Sequence, residues 1–317
     1  MPLPESSARM MLDIANVTLG LVILIFAGDA LVKGAVNLAL RLGLPALVVS
    51  LTVVAFGTSA PELLVSVQAI LDGVPGLALG NVVGSNTANV LLVLGIPALI
   101  ARMHTSGHDT RRDYLYMLGA SVLFIGLCLT GTLVWWHGLI LLAALIAVLA
   151  ATFLSSRGDE VEVEGAEPGL PGWKLTAFLG LGLIGLPLGA NLLVDGATSI
   201  ARAFGVTETV IGLTLVAIGT SLPELATTVM AAIRRHADVA LGNVIGSNLF
   251  NLLGIIGVAV FVDPIPVERS FLVLDLWIML GATLILIPFV FMGRDITRSW
   301  GVGLFGLYAA YLVLVLA

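Results

Sequence analysis

The 317-residue sequence predicts an all-α polytopic membrane protein: ten transmembrane helices in two inverted five-helix repeats with broken core helices. Three observations predict it. Apolar runs recur from end to end. The chain aligns with itself at an offset of 162 residues without a gap. A polar octapeptide with Gly and Pro interrupts two of the most apolar stretches, as AFGTSAPE at 55–62 and AIGTSLPE at 217–224.

Hydrophobic residues are 59% of the chain and charged ones 11%, with a mean hydropathy of +1.10. A soluble domain of this length carries far more charge. The runs are continuous and long, which fits helical spans rather than the short alternating strands of an outer-membrane barrel. Net charge is −6 and no long basic run suggests nucleic acid. The single cysteine, Cys128, lies in an apolar run, has no intrachain partner, and reads as a small packing residue.

The spans are expected at about 11–40, 45–71, 77–101, 114–131, 134–154, 174–201, 207–233, 238–261, 270–291 and 299–317. The N-terminal tail is not expected to be a cleaved secretory signal, since its basic region is the single Arg9 and no short small-residue cleavage site follows cleanly. Residues 1–154 form the first repeat, with motifs at 55–62 and 80–92. Residues 155–173 are an acidic linker. Residues 174–317 form the second repeat, with motifs at 217–224 and 242–254. Arg41, Arg102, Arg111, Arg112, Arg157, Lys174, Arg234, Arg235, Arg294 and Arg298 fall on one side of this arrangement, against Arg9, Arg202 and Arg269 on the other. The basic side is expected to face the cytoplasm, which places both termini outside and the linker inside, in a cell (inner) membrane. Trp135 and Trp136 fit an interfacial belt.

The second pair of motifs, GNVVGSNTANVLL at 80–92 and GNVIGSNLFNLLG at 242–254, matches at eight of thirteen positions, and the octapeptides match at six of eight. Five spans separate the copies, and an odd number inverts the second. Inverted repeats with helix breakers at matched positions point to a secondary transporter with its site near the midplane.

Each octapeptide then has a chemical reading. Pro61 lacks an amide hydrogen and clashes with the carbonyl of Gly57, so the helix should break and free carbonyls at Ala55, Gly57 and Thr58; Pro223 and Gly219 should do the same for Ala217 and Thr220. Irregular backbone at membrane depth is tolerated where it is buried or lines a wet cavity. A structural kink alone would not explain Glu62 and Glu224, because a carboxylate at a helix centre costs about 2.5–3.5 kcal/mol. No Lys or Arg lies in these segments, so a cation from solution is the natural partner. Ser59 and Thr58 share the face of Glu62, and Ser221 and Thr220 that of Glu224. The following spans add Asn81, Ser85 and Asn89, and Asn243, Ser247 and Asn251, at i, i+4, i+8. Ser85, Asn89, Ser247 and Asn251 are expected to line the site. For Asn81, Asn86, Asn243 and Asn248, hydrogen bonds that hold the broken helices are as good a reading as ligation. Gly80, Gly84, Gly242 and Gly246 are expected to serve close packing. All-oxygen ligation suits Ca²⁺ and Na⁺ rather than transition metals. Asp29 and Lys33 read as an i, i+4 ion pair. His104 and His108 sit in a polar loop and do not read as a metal site.

The motifs GTSAPE and GTSLPE, each followed by GNV(V/I)GSN and an Asn, resemble the α-repeats of the cation/Ca²⁺ exchanger superfamily, and most of all its prokaryotic Na⁺/Ca²⁺ exchangers. The resemblance implies Ca²⁺ ligation by Glu62, Glu224, Thr58 and Thr220. It implies Na⁺ ligation by Ala55, Thr58, Ser59, Glu62 and Ser85, and by Ala217, Thr220, Ser221, Glu224 and Ser247, with Asn89 and Asn251 lining the site. Some members carry Asp at the second of these positions, where this chain has Asn. The resemblance implies a secondary antiporter that exchanges Na⁺ for Ca²⁺ as a monomer in the lipid bilayer, with inorganic cations as cargo, no cofactor and no enzymatic activity. A H⁺/Ca²⁺ exchanger or a K⁺-dependent Na⁺/Ca²⁺ exchanger of the same superfamily is the alternative. A cation channel is more remote, because inverted repeats favour alternating access, and an intramembrane hydrolase would need a His or Lys base that neither motif holds.

Overall fold

The computed structural model describes residues 5–105, 110–155, 170–205 and 217–316. The fold is all-α. Helix α1 (Glu5–Leu42) is followed by the bent pair α2 (Ala46–Thr58) and α3 (Ala60–Leu71), then α4 (Pro75–Ile100), α5 (Arg111–Cys128) and α6 (Trp135–Ser155). Next come α7 (Gly172–Ala203), the short α8 (Ala217–Thr220), α9 (Leu222–Ile233), α10 (Ala237–Ala259), α11 (Phe271–Phe291) and α12 (Arg298–Leu316). Helices therefore occupy all the segments where spans are expected, except that the start of the 207–233 segment lies outside the described residues. Most of the acidic linker and His108 lie outside them too.

Among the described residues, six helices are long and apolar enough to cross a bilayer, and α2 with α3 makes a seventh if the pair is one span. This is a multi-pass membrane protein. α4 and α10 are the centre of the bundle: 78% and 89% of their apolar windows are buried, against 17–22% for α1, α6 and α7. The exposed apolar faces of the outer helices, such as Phe26, Ile146 and Ile184, are what lipid contact requires. Trp135 and Trp136 are exposed at the start of α6, as a belt position demands.

Small residues set the helix spacing. α1 and α7 cross backbone to backbone: a Cβ on Gly20 would lie 2.6 Å from the Gly189 carbonyl oxygen, and one on Gly189 2.9 Å from that of Gly20. α10 rests on α2 in the same way. A Cβ on Gly242 would lie 2.7 Å from the Leu47 carbonyl oxygen, and one on Gly246 2.3 Å from that of Leu51. The packing role expected of these two glycines is met. Among the described residues Gly80 approaches only the Phe271 ring, at 3.7 Å, and Gly84 nothing within 4 Å.

Two antiparallel contacts tie loops at the helix ends. Strand β1 (Thr132–Leu133) pairs with β2 (Ile265–Pro266), and Met103 bridges Ile296. The expected Asp29–Lys33 pair forms at 3.1 Å, and Arg234 joins it from the end of α9.

Candidate functional site

The helix breaks fall two residues before the expected prolines. Ser59 (φ −85°, ψ 3°) separates α2 from α3, which then bends by 41°, and Ser221 (φ −87°, ψ 4°) separates α8 from α9. Pro61 and Pro223 sit in the first turns of α3 and α9, where a missing amide costs nothing. Ser-x-x-Glu at such a start is the pattern of a capping box. Neither serine caps: no side-chain bond closes either helix start. The hydroxyls are left for other work, and both carboxylates stand in a first turn, where the helix dipole favours an anion.

The Ala55 carbonyl differs from expectation. It accepts the Ser59 amide at 3.0 Å and the Thr58 hydroxyl at 3.3 Å, so the break does not leave it unpaired. Turning at Ser59 rather than at Gly57 keeps that amide within reach. The Gly57 carbonyl loses its i+4 donor, because Pro61 has no N–H.

Glu62 and Glu224 are 1% and 0% exposed. Ser59 donates to Glu224 Oε1 at 3.1 Å and Ser247 donates to the same oxygen at 3.4 Å. Thr58, Ser85, Asn89 and Asn251 are also buried, and Thr220 is half-buried. Of the residues expected to form one site, Ser59 of the first motif and Ser247 of the fourth thus meet at Glu224, and Thr58 reaches Asn243 and Ser247. Ala217 is in α8, with only its backbone described.

Asn81 and Asn243 act as clamps. Asn81 Nδ2 donates to the Glu62 carbonyl at 3.2 Å and to Ser66 Oγ at 3.0 Å; Asn243 Nδ2 donates to the Glu224 carbonyl at 3.3 Å and to Thr228 Oγ1 at 3.1 Å. Each is in turn reached from the other half, by Thr220 Oγ1 to Asn81 Oδ1 at 3.5 Å and by Thr58 Oγ1 to Asn243 Oδ1 at 3.3 Å. The acceptors Ser66 and Thr228 were not singled out by the sequence, although both are hydroxyls one turn after the motif Glu. Asn89 donates to Asn248 Oδ1 at 3.1 Å, and Asn248 donates to the Asn86 carbonyl at 3.5 Å. This asparagine relay needed the contact between α4 and α10 and had no local signal.

The helices are also underwound at the site. π-helical turns occupy Asn89–Val93 in α4 and Phe250–Ile255 in α10, the second containing Asn251. Such turns release backbone groups and re-aim side chains, and they concentrate at functional positions.

The chemistry follows from what is left unpaired. Glu62 Oε2, Glu224 Oε2, Asn89 Oδ1, Ser221 Oγ and both polar atoms of Asn251 are buried with no hydrogen-bond partner. Buried polar groups are normally satisfied, so a cluster of orphans marks a place built for something else. Most of them are oxygens, and among the described residues no Lys or Arg pairs with either glutamate and no group of three His, Cys, Asp or Glu occurs. The donor set fits a hard cation.

Similarity to known proteins agrees with this geometry. The family model described as sodium/calcium exchanger protein matches residues 13–154 and 174–317. The chain is 36% identical to the inner membrane protein YrbG of Escherichia coli (strain K12), over 84% of this chain and 86% of that one. It is 34% identical to the sodium/calcium exchanger MaX1 of Methanosarcina acetivorans, over 94% and 96%. The solved structure of the sodium-calcium exchanger NCX_Mj soaked with Na⁺ and Sr²⁺ superposes with a TM-score of 0.84 at 32% identity, covering 96% of this chain and 98% of that one. Matched across both motif pairs and nearly its whole length, the chain belongs to the sodium/calcium exchanger protein family.

Proposed function

We propose that the protein is a secondary antiporter that exchanges Na⁺ for Ca²⁺ by alternating access at a site between α3, α4, α9 and α10. The observation that carries this reading is the pair of buried glutamates, each with one carboxylate oxygen lacking any donor. Two carboxylates neutralise one divalent ion or hold monovalent ions in its place, and mutually exclusive occupancy is the physical basis of exchange. Glu62, Glu224 and the Thr58 and Thr220 carbonyls would hold Ca²⁺. Ala55, Thr58, Ser59, Glu62 and Ser85, with Ala217, Thr220, Ser221, Glu224 and Ser247, would hold Na⁺, while Asn89 and Asn251 line the site. The cations are cargo, and the reading needs no cofactor.

The architecture that goes with it is ten spans in two inverted repeats, 1–154 and 174–317, joined by a cytoplasmic linker at 155–173, with both termini outside and a monomer as the working unit. Paired contacts at the 162-residue offset support it. Asn81 on the Glu62 carbonyl corresponds to Asn243 on the Glu224 carbonyl, and Thr58 to Asn243 corresponds to Thr220 to Asn81. The relatedness to MaX1 and NCX_Mj, both named as sodium/calcium exchangers, favours Na⁺ as the coupling ion. The test is ⁴⁵Ca²⁺ flux in proteoliposomes with imposed Na⁺, K⁺ or H⁺ gradients. Uptake driven by outward Na⁺ alone is expected; uptake that follows only a proton gradient would replace this reading with H⁺/Ca²⁺ exchange.

A further inference from the structure

Arg235 is the one described non-glycine residue with a left-handed backbone, at φ +63°. It closes α9: its amide donates to the Ala232 carbonyl at 3.1 Å and the His236 amide to that of Ala231 at 2.8 Å, the two bonds of a Schellman motif. The matched position in the other repeat is Gly73, at φ +77°, which closes α3 with the same two bonds, from Gly73 to Ile70 and from Val74 to Ala69. Glycine is the residue this position wants. Strain kept where its repeat mate has none points to a use for the side chain.

That side chain lines a cleft of about 520 Å³ together with Arg102, His104, Ile100, Ala101, Ala232 and Ile233. Arg102 Nη2 and His104 Nδ1 lie 3.0 and 3.1 Å from one oxygen of Asp295, which is nearly buried and fixes the two side by side. One carboxylate cannot satisfy the guanidinium of Arg102 and offset that of Arg235 as well, and Arg298 adds a third at the rim through the Ile100 carbonyl. The cleft is thus net positive. Beside the basic groups lie Ile100 and Ile233, about half exposed, at 47% and 51%. A basic pocket with an apolar flank between helix ends matches a phospholipid: phosphate on the arginines, acyl chain along the isoleucines.

We propose that this cleft binds the head group of an anionic phospholipid, with Arg235 and Arg102 as its phosphate ligands. The site is separate from the cation site, and its test does not depend on transport. Full-length protein in detergent would be titrated with phosphatidylglycerol, phosphatidylcholine or inorganic phosphate, reading retained lipid by native mass spectrometry and melting temperature. Phosphatidylglycerol should be retained and should raise the melting temperature, with little effect from the other two. Arg235→Gly should melt at or above the parent without lipid, because glycine suits φ +63°, yet retain roughly tenfold less phosphatidylglycerol; Arg102→Gln should weaken retention similarly. Unchanged retention in both variants, or equal retention of phosphatidylcholine, would overturn the proposal. Equal protection by inorganic phosphate would overturn the lipid assignment.

Discussion

Ser59 donates its hydroxyl to Glu224 Oε1 across the two halves of the protein, while Ser221, at the matched position, has a buried hydroxyl with no partner. The scaffold around the carboxylates is paired; this contact is not. A transporter with two opposed half-sites and a single open side must be asymmetric in any one state.

The serine pair gives the first prediction. Ser59→Ala removes a charge-assisted bond from a buried carboxylate and should cost about 1–3 kcal/mol in the ion-free protein. Ser221→Ala removes an orphan and should leave the ion-free melting temperature unchanged or raised. Thermal melts in detergent with chelator report the difference. Equal destabilisation by both would mean that the asymmetry is not a property of the ion-free protein.

Glu62→Gln and Glu224→Gln should each leave a folded protein that no longer exchanges Ca²⁺. Each removes half of the site's charge, and one charge-assisted contact is worth about 1.5–3 kcal/mol, or roughly tenfold and upward in affinity. Asn251→Asp should be tolerated better, because Asn251 Oδ1 is unpartnered and an Asp would put a second oxygen where the unpartnered amide nitrogen now stands. Substantial ⁴⁵Ca²⁺ flux with either glutamate neutralised would remove the shared-site model.

Gly246→Ala should be among the most damaging single changes outside the ligand set. Its Cβ would meet backbone, the Leu51 carbonyl oxygen, rather than a side chain that can swing away. Forcing α10 off α2 costs about 1–3 kcal/mol or more by the experience of overpacked cores. Normal expression and melting of this variant would show that α2 gives way at little cost.

The sequence made the site legible because its signals were local. Glu62 and Glu224 stood out as charges in apolar runs, and Pro61 and Pro223 as breakers. What it left hidden was made by contacts between elements. Whether the Ala55 carbonyl stays paired depends on whether the turn is made at Gly57 or Ser59, a matter of a few tens of degrees in φ and ψ. The pairing of Asn89 with Asn248 depends on how deeply α4 and α10 interlock. The π-helical turns at Asn89–Val93 and Phe250–Ile255 carry no compositional mark. The role of Asn81 and Asn243 as clamps was readable only as one of two equal options, since an amide one helix away from a broken backbone can bond it or reach an ion.

Orientation is a separate prediction. In a Cys128→Ala background, a cysteine replacing Arg112 should react only with reagent that reaches the cytoplasm, and one replacing Ser6 should react from outside. The motive is the excess of Lys and Arg on one side of the ten-span arrangement. Reversed labelling would sink the orientation while leaving the inverted repeat standing.

The coupling ion is the prediction with most consequence for the cell. A carrier driven by protons needs only its carboxylates to titrate, yet the proposed site would add Thr58, Ser59, Ser85, Ser221 and Ser247, small neutral oxygens of the kind that replace the hydration shell of Na⁺. Ser247 already reaches Glu224 at 3.4 Å, so its hydroxyl stands beside the charge that a bound Na⁺ would share. Ser85→Ala and Ser247→Ala should therefore weaken Na⁺ dependence more than Ca²⁺ binding, because Ca²⁺ leans chiefly on the two glutamates. With about three Na⁺ exchanged for one Ca²⁺, as the resemblance implies, the cycle moves net charge and should respond to membrane potential. The measurement is Ca²⁺ uptake into Na⁺-loaded vesicles, with pH clamped by an ionophore and voltage set by a K⁺ gradient with valinomycin. Uptake that ignores both the Na⁺ gradient and the voltage would exclude electrogenic Na⁺ coupling, and the serine hydroxyls would then have to be explained as supports of the glutamates alone.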